Sequence, residues 1–115
     1  MGRDQEYLLD ILEAAKLAVS YTRSVTQEEY LQDTQLQDSV IRRLEIIGET
    51  ARRISVEMHA KFPSIPWKDM IGMRNQMVHE YDDVDLYIVW QTVQHDLPHL
   101  IALIAPIFPS DESGV

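Results

Sequence analysis

The stretch GMRNQMVHEY, residues 72–81, sets Arg74, Asn75, His79 and Tyr81 among methionines and a valine. An imidazole titrates near neutrality and can pass a proton in either direction. A guanidinium is planar, always charged, and grips an oxyanion with two parallel hydrogen bonds. Asn75 and His79 stand at i, i+4 and share a helix face, so the amide can orient the ring. Arg74 and His79 are five residues apart, roughly 140° around an ideal helix, and do not share one. Two arrangements bring them together: the helix ends near His79, or a twofold-related copy supplies the missing partner across an isologous interface. A plainer reading keeps Arg74 on the rim, His79 as a helix C-terminal cap and Tyr81 packed on a loop.

The elements that must position these residues read as helices. Asp4 is placed to cap a first helix with Leu8, Ile11, Leu12, Ala15 and Val19 along one stripe. Thr26 and Glu29 form a capping box, with Val25 and Tyr30 at the staple positions. Thr34 with Gln37 predicts a second box, opening a long helix with Leu36, Val40, Leu44, Ile47, Ala51, Ile54 and Met58 apolar. FPSIPW interrupts it, and Pro66 suits the first turn of a third helix carrying the opening motif, with Met70, Met73 and Met77 in the core. After the acidic run EYDDVD, capped by Asp83 or Asp85, a fourth helix follows from Leu86 to Ile104, which Pro98 should kink near residue 94. The expected fold is all-α: an antiparallel bundle of four main helices plus a short one, one domain over residues 1–106, with 107–115 a flexible tail.

Composition narrows the functional classes. The 115 residues are 45% hydrophobic and 25% charged, with four Gly, five Pro and no Cys, which is the profile of a folded domain without disulfides or thiolate chemistry. No secretory leader and no apolar run of membrane-spanning length is present, so a cytoplasmic protein without a membrane partner is expected. Net charge is −9, at first sight unfavourable for nucleic acid. Its distribution is uneven. Residues 40–75 hold Arg42, Arg43, Arg52, Arg53, Lys61, Lys68 and Arg74 against four acids, Glu45, Glu49, Glu57 and Asp69. A phosphate would meet its most favourable field there. His95 and His99 have the i, i+4 spacing of a zinc helix, but Pro98 lies between them and no third ligand follows. Glu80, Asp82, Asp83 and Asp85 lack the glycine and spacing of a calcium loop. No metal site and no cofactor are expected, and His59, near the end of the long helix, is read as a favourable charge or a hydrogen-bond donor to its last carbonyls.

The run Arg74-Asn75-x-x-x-His79-x-Tyr81 resembles the R-x4-H-x-Y signature of HepT toxins, within the HEPN superfamily of helical-bundle ribonucleases. Three further blocks, QDSVIRRLEIIGETARRIS, FPSIPWKDMIGMRN and DLYIVWQTVQHDLPHL, look like the same family, and the match runs unbroken over roughly residues 4 to 106. The resemblance implies a homodimer whose two motifs meet at the interface to cut RNA without a metal, with Arg74 and His79 catalytic and Asn75 supporting. DNA is not the expected substrate. It also implies a second partner, an MNT-type nucleotidyltransferase antitoxin that transfers AMP to the motif tyrosine, here Tyr81. The alternative keeps the fold and drops the catalysis: a helical partner that binds the nucleotidyltransferase or a nucleotide.

Overall fold

In the computed structural model, which describes residues 2–77 and 84–109, the chain is all-α. Helix α1 (Asp4–Tyr21) is followed by the short α2 (Gln27–Leu31), the long α3 (Thr34–Arg53), α4 (Val56–Lys61), α5 (Trp67–Ile71) and α6 (Met73–Met77). Beyond residue 84 come α7 (Leu86–Gln91), a π-helical turn over Thr92–Asp96, α8 (Leu97–Ile104) and a 3-10 turn over Ala105–Ile107. The apolar stripes converge on one core. Leu8, Ile11, Ala15 and Ala18 of α1, Val40, Leu44, Ile47 and Ala51 of α3, and Val89, Val93, Leu97 and Ile104 of the last helix are all buried.

α1 and α3 form the main antiparallel pair. The clasp between the start of one and the end of the other sets their direction. Asp4 does not cap α1, as its position suggested. Arg3 holds the cap position without a side-chain bond, and Asp4 is the first helical residue. Its carboxylate instead accepts from the Ser55 hydroxyl at 2.6 Å and the Ser55 amide at 3.0 Å. Those two bonds hold the Asp4 carboxyl below its ordinary pKa, the hydroxyl contributing most.

The second predicted capping box also differs. Asp33, one residue earlier, caps α3 by accepting from the Leu36 amide at 3.0 Å. Gln37 is drawn inward instead, its Nε2 donating to the Tyr30 carbonyl at 2.9 Å. A carboxylate adjacent to the helix start competed with the Thr34 hydroxyl, and both are good caps. The box at Thr26 and Glu29 forms as expected, with bonds of 3.1 and 2.9 Å. The long helix is shorter than its stripe. Ile54 turns to extended backbone (φ −75°, ψ 142°), and Ser55 starts α4 by accepting from the Met58 amide. The 3–4 spacing survives that break, which is why periodicity alone did not reveal it.

Pro98 acts on the last helix by widening it. The Leu97 amide reaches back five residues to the Thr92 carbonyl, which makes the π turn. Pro98 then enters at the first turn of α8, where its missing N–H costs least. Gln94, in the π turn, donates to the Thr22 hydroxyl at 2.9 Å and ties this helix to the end of α1. Ile107 and Phe108 still pack against the core, and residues 110–115 of the expected tail lie outside the described residues.

α5 rests on α3 at a glycine. A Cβ placed on Gly48 would lie 2.9 Å from the Met70 carbonyl oxygen, closer than real contacts allow. Gly48→Ala must therefore push α5 away from α3, and we expect a loss of about 1–3 kcal/mol, read as a lowered thermal midpoint. At the other end of the motif, Asp85 caps α7 by accepting from the amides of Tyr87 (3.0 Å) and Ile88 (3.1 Å). Asp85→Ala should cost about 1 kcal/mol in denaturant unfolding, and Asp85→Asn should recover most of it.

Candidate active site

The predicted third helix is two short ones. α5 ends at Ile71 with Gly72 as its C-cap, and α6 begins at Met73. Its start is anchored by aromatic packing. Trp67, nearly buried, donates its indole N–H to the Phe62 carbonyl at 3.0 Å and stacks on His59 with ring centroids 4.4 Å apart. His59 Nε2 lies 3.4 Å from the Ala51 carbonyl oxygen, within the last turn of α3, as its sequence position suggested. From this anchor Met70, Met73 and Met77 turn into the core. That leaves Arg74 and Asn75 on the outer face of α6, both exposed. The methionine spacing determines which way the arginine faces.

His79 and Tyr81, with Glu80, Asp82 and Asp83, lie outside the described residues. The two ends of that segment are held to each other, since the Asp85 amide donates to the Met77 carbonyl at 2.7 Å. Beneath the far end sits Tyr30, buried, its hydroxyl donating to the Leu86 carbonyl at 2.7 Å and its ring 5.0 Å from that of Trp90. Burial, with a smaller effect from Asp85, pushes the Tyr30 phenol up to about 12, so it stays a neutral donor at any physiological pH. The last turn of α6 and the first turn of α7 are thus tied to each other and to α2.

Within the basic stretch of residues 40–75 some of the acids are already paired. Arg42 lies 3.5 Å from Glu45 and 4.0 Å from Glu49 on α3, which draws two of the local carboxylates toward one guanidinium. Among the described residues, Arg52, Arg53, Lys68 and Arg74 make no ion pair. Exposed pairs of this kind add little to stability, but they decide which cations remain available to a ligand.

The other candidates separate. His95 and His99 are both exposed, and no group of three or more His, Asp or Glu side chains among the described residues is arranged to hold a metal ion. Asp85 serves as a helix cap. No helix among the described residues is long and apolar enough to cross a membrane. Sequence reasoning did not identify the hollow between α5, α6 and the last helix, whose lining includes Asp69, Asp96 and His99. Asp96 and His99 share the i, i+3 spacing of a common face, but nothing along the chain signals that Asp69 lies opposite.

The family model for HepT-like ribonucleases (Ribonuclease HepT-like) matches residues 11–107. A Thermococcus cleftensis protein assigned as a ribonuclease HepT is 42% identical over 96 residues, covering 84% of this chain and 87% of the relative. A Methanocaldococcus jannaschii protein assigned as an RNase is 38% identical over 94 residues, covering 82% and 86%. One from Caldanaerobacter subterraneus, also assigned as an RNase, is 30% identical over 112 residues and covers 97% of this chain and all of the relative. No solved structure matches the chain. An all-α bundle that presents Arg74 and Asn75 outward from a methionine-anchored helix, matched over nearly its whole length, belongs to the HepT-like ribonuclease family.

Proposed function

We propose that this chain is the toxin of a toxin–antitoxin pair: a homodimeric, metal-independent endoribonuclease whose site joins Arg74 and His79. The observation that carries the reading is Arg74, exposed and without an ion partner among the described residues, on a short helix whose opposite side is buried. In this mechanism His79 takes the proton from a ribose 2′-hydroxyl, whose oxygen attacks the adjacent phosphorus. The 5′-oxygen leaves and collects a proton from that imidazolium or from a second histidine that is already protonated. The products are a 2′,3′-cyclic phosphate and a 5′-hydroxyl. Acid–base help of this kind is worth roughly 10²–10⁴-fold. Arg74 holds the phosphate with two hydrogen bonds and stabilises the charge that builds on its oxygens. Asn75, four residues before His79, orients the ring or donates to the substrate.

A homodimer would supply the pairing: on a continuous helix residues five apart do not converge, so a second copy is the simplest source of the complementary group. Regulation follows from Tyr81. An MNT-type nucleotidyltransferase transfers AMP from ATP to its phenolic oxygen, releasing pyrophosphate. The added phosphate pairs with Arg74 and the adenosine fills the groove, so RNA is excluded by charge and by bulk. The chain acts in the cytoplasm, where RNA and antitoxin meet.

Arg74→Ala and His79→Ala should each reduce RNA cleavage by at least 10²-fold while circular dichroism and sedimentation remain those of the unaltered protein. Undiminished activity in His79→Ala would remove the mechanism and leave a non-catalytic binder of the nucleotidyltransferase. Tyr81→Phe should keep nuclease activity and escape silencing by the antitoxin with ATP. Mass spectrometry should place the added AMP on Tyr81 in the unaltered chain, and AMP on another residue would refute the assignment.

A further inference from the structure

Between α5, α6 and the last helix the molecule holds a cavity of about 290 Å³. Its floor includes Met70, Met73 and Leu97, all buried, and its rim carries the exposed side chains of Asp69, Asp96 and His99. Met73 and Arg74 are consecutive, so the floor of the cavity and the candidate phosphate-holding group belong to one turn of α6. We propose that this cavity is a nucleobase pocket that selects guanine in the RNA bound at Arg74; this rests on the ribonuclease reading above.

The chemistry of the walls favours a base over other occupants. Two carboxylates on the rim repel a phosphate, so the backbone of a nucleic acid is held outside, at Arg74. A floor with two methionine thioethers suits a flat aromatic ring, because sulfur–aromatic contacts are favourable and the side chains adapt to its outline. The volume admits one base with room for a few waters. The imidazole of His99 provides a planar edge on which an unstacked base can rest.

Among the four bases the rim favours guanine. A carboxylate accepts only, and guanine offers two adjacent donors, N1–H and the 2-amino group, on its Watson–Crick edge. Uracil offers a single N–H there, flanked by carbonyl oxygens that a carboxylate repels. Single-stranded RNA is commonly read in this way, by splayed bases hydrogen-bonded along that edge. The carboxylates are exposed, so the discrimination should be moderate.

Titration of guanosine, a nucleoside without phosphate, into protein labelled with ¹³C-methyl methionine tests the pocket without any cleavage step. The Met70 and Met73 methyl resonances should shift saturably. Guanosine should bind at least fivefold more tightly than uridine or inosine, the latter lacking the 2-amino group. Asp69→Asn combined with Asp96→Asn should abolish that preference, and both positions are exposed, so the fold should tolerate the change. Unmoved methionine resonances, or equal affinity for guanosine, inosine and uridine, would overturn the pocket even if the unaltered protein cuts RNA. Methyl shifts with the expected preference in a protein that cuts no RNA would uphold the pocket and remove the nuclease reading instead.

Discussion

A single backbone contact sets how the α5–α6 segment, with Arg74 and Asn75, lies on the bundle: the Met70 carbonyl against Gly48 of α3. Because no side chain stands at that point, α5 can lie directly on the long helix, and α6 follows one residue later. The approach fixes which side of the α5–α6 segment is buried. Met70, Met73 and Met77 fill the interior at three- and four-residue intervals, and Arg74 and Asn75 are left on the outside with no alternative face to occupy. A larger residue at 48 would displace α5 and with it the short helix that carries Arg74 and Asn75.

Around that contact, polar ties hold the ends of the helices. Asp4 bonds to Ser55, Gln94 to Thr22, Tyr30 to Leu86, and Met77 to Asp85 across the motif segment. Each joins residues remote in sequence or closes a loop, and each satisfies a group that would otherwise be left to water or buried alone. The bundle is therefore held at its ends by directed bonds and in its middle by aliphatic packing. The charge pattern complements this. The chain is strongly acidic as a whole, but Arg42 engages two acids of α3 and leaves Arg52, Arg53, Lys68 and Arg74 without an ion partner among the described residues. An acidic protein can in this way keep a local field suited to a phosphate.

Much of this was legible in the chain itself. The burial of Leu8, Val40, Leu44 and Val93 followed from helical periodicity, and the cap at Thr26 followed from local chemistry; Pro98 pointed to a kink near residue 94, where the structure has a π turn over Thr92–Asp96. What was not legible depended on competition or on distance. Asp33 and Thr34 are both good caps, and only the path of the chain decides between them. The breaks at Ile54 and Gly72 preserve the apolar spacing, so a stripe runs through them unmarked. Asp4 met a partner 51 residues away that no local rule could indicate. At the site, the outward direction of Arg74 was readable from the methionines, whereas the hollow where Asp69 faces Asp96 and His99 exists only once two helices are packed.

The central claim is that an arginine and a histidine cut RNA with the substrate's own 2′-hydroxyl as nucleophile. End-group analysis of the RNA fragments, with the reaction run in excess EDTA, tests it most directly. Continued cleavage with 2′,3′-cyclic phosphate and 5′-hydroxyl ends is the predicted result. Fragments bearing 5′-phosphate and 3′-hydroxyl ends, formed only when a divalent metal is present, would contradict it.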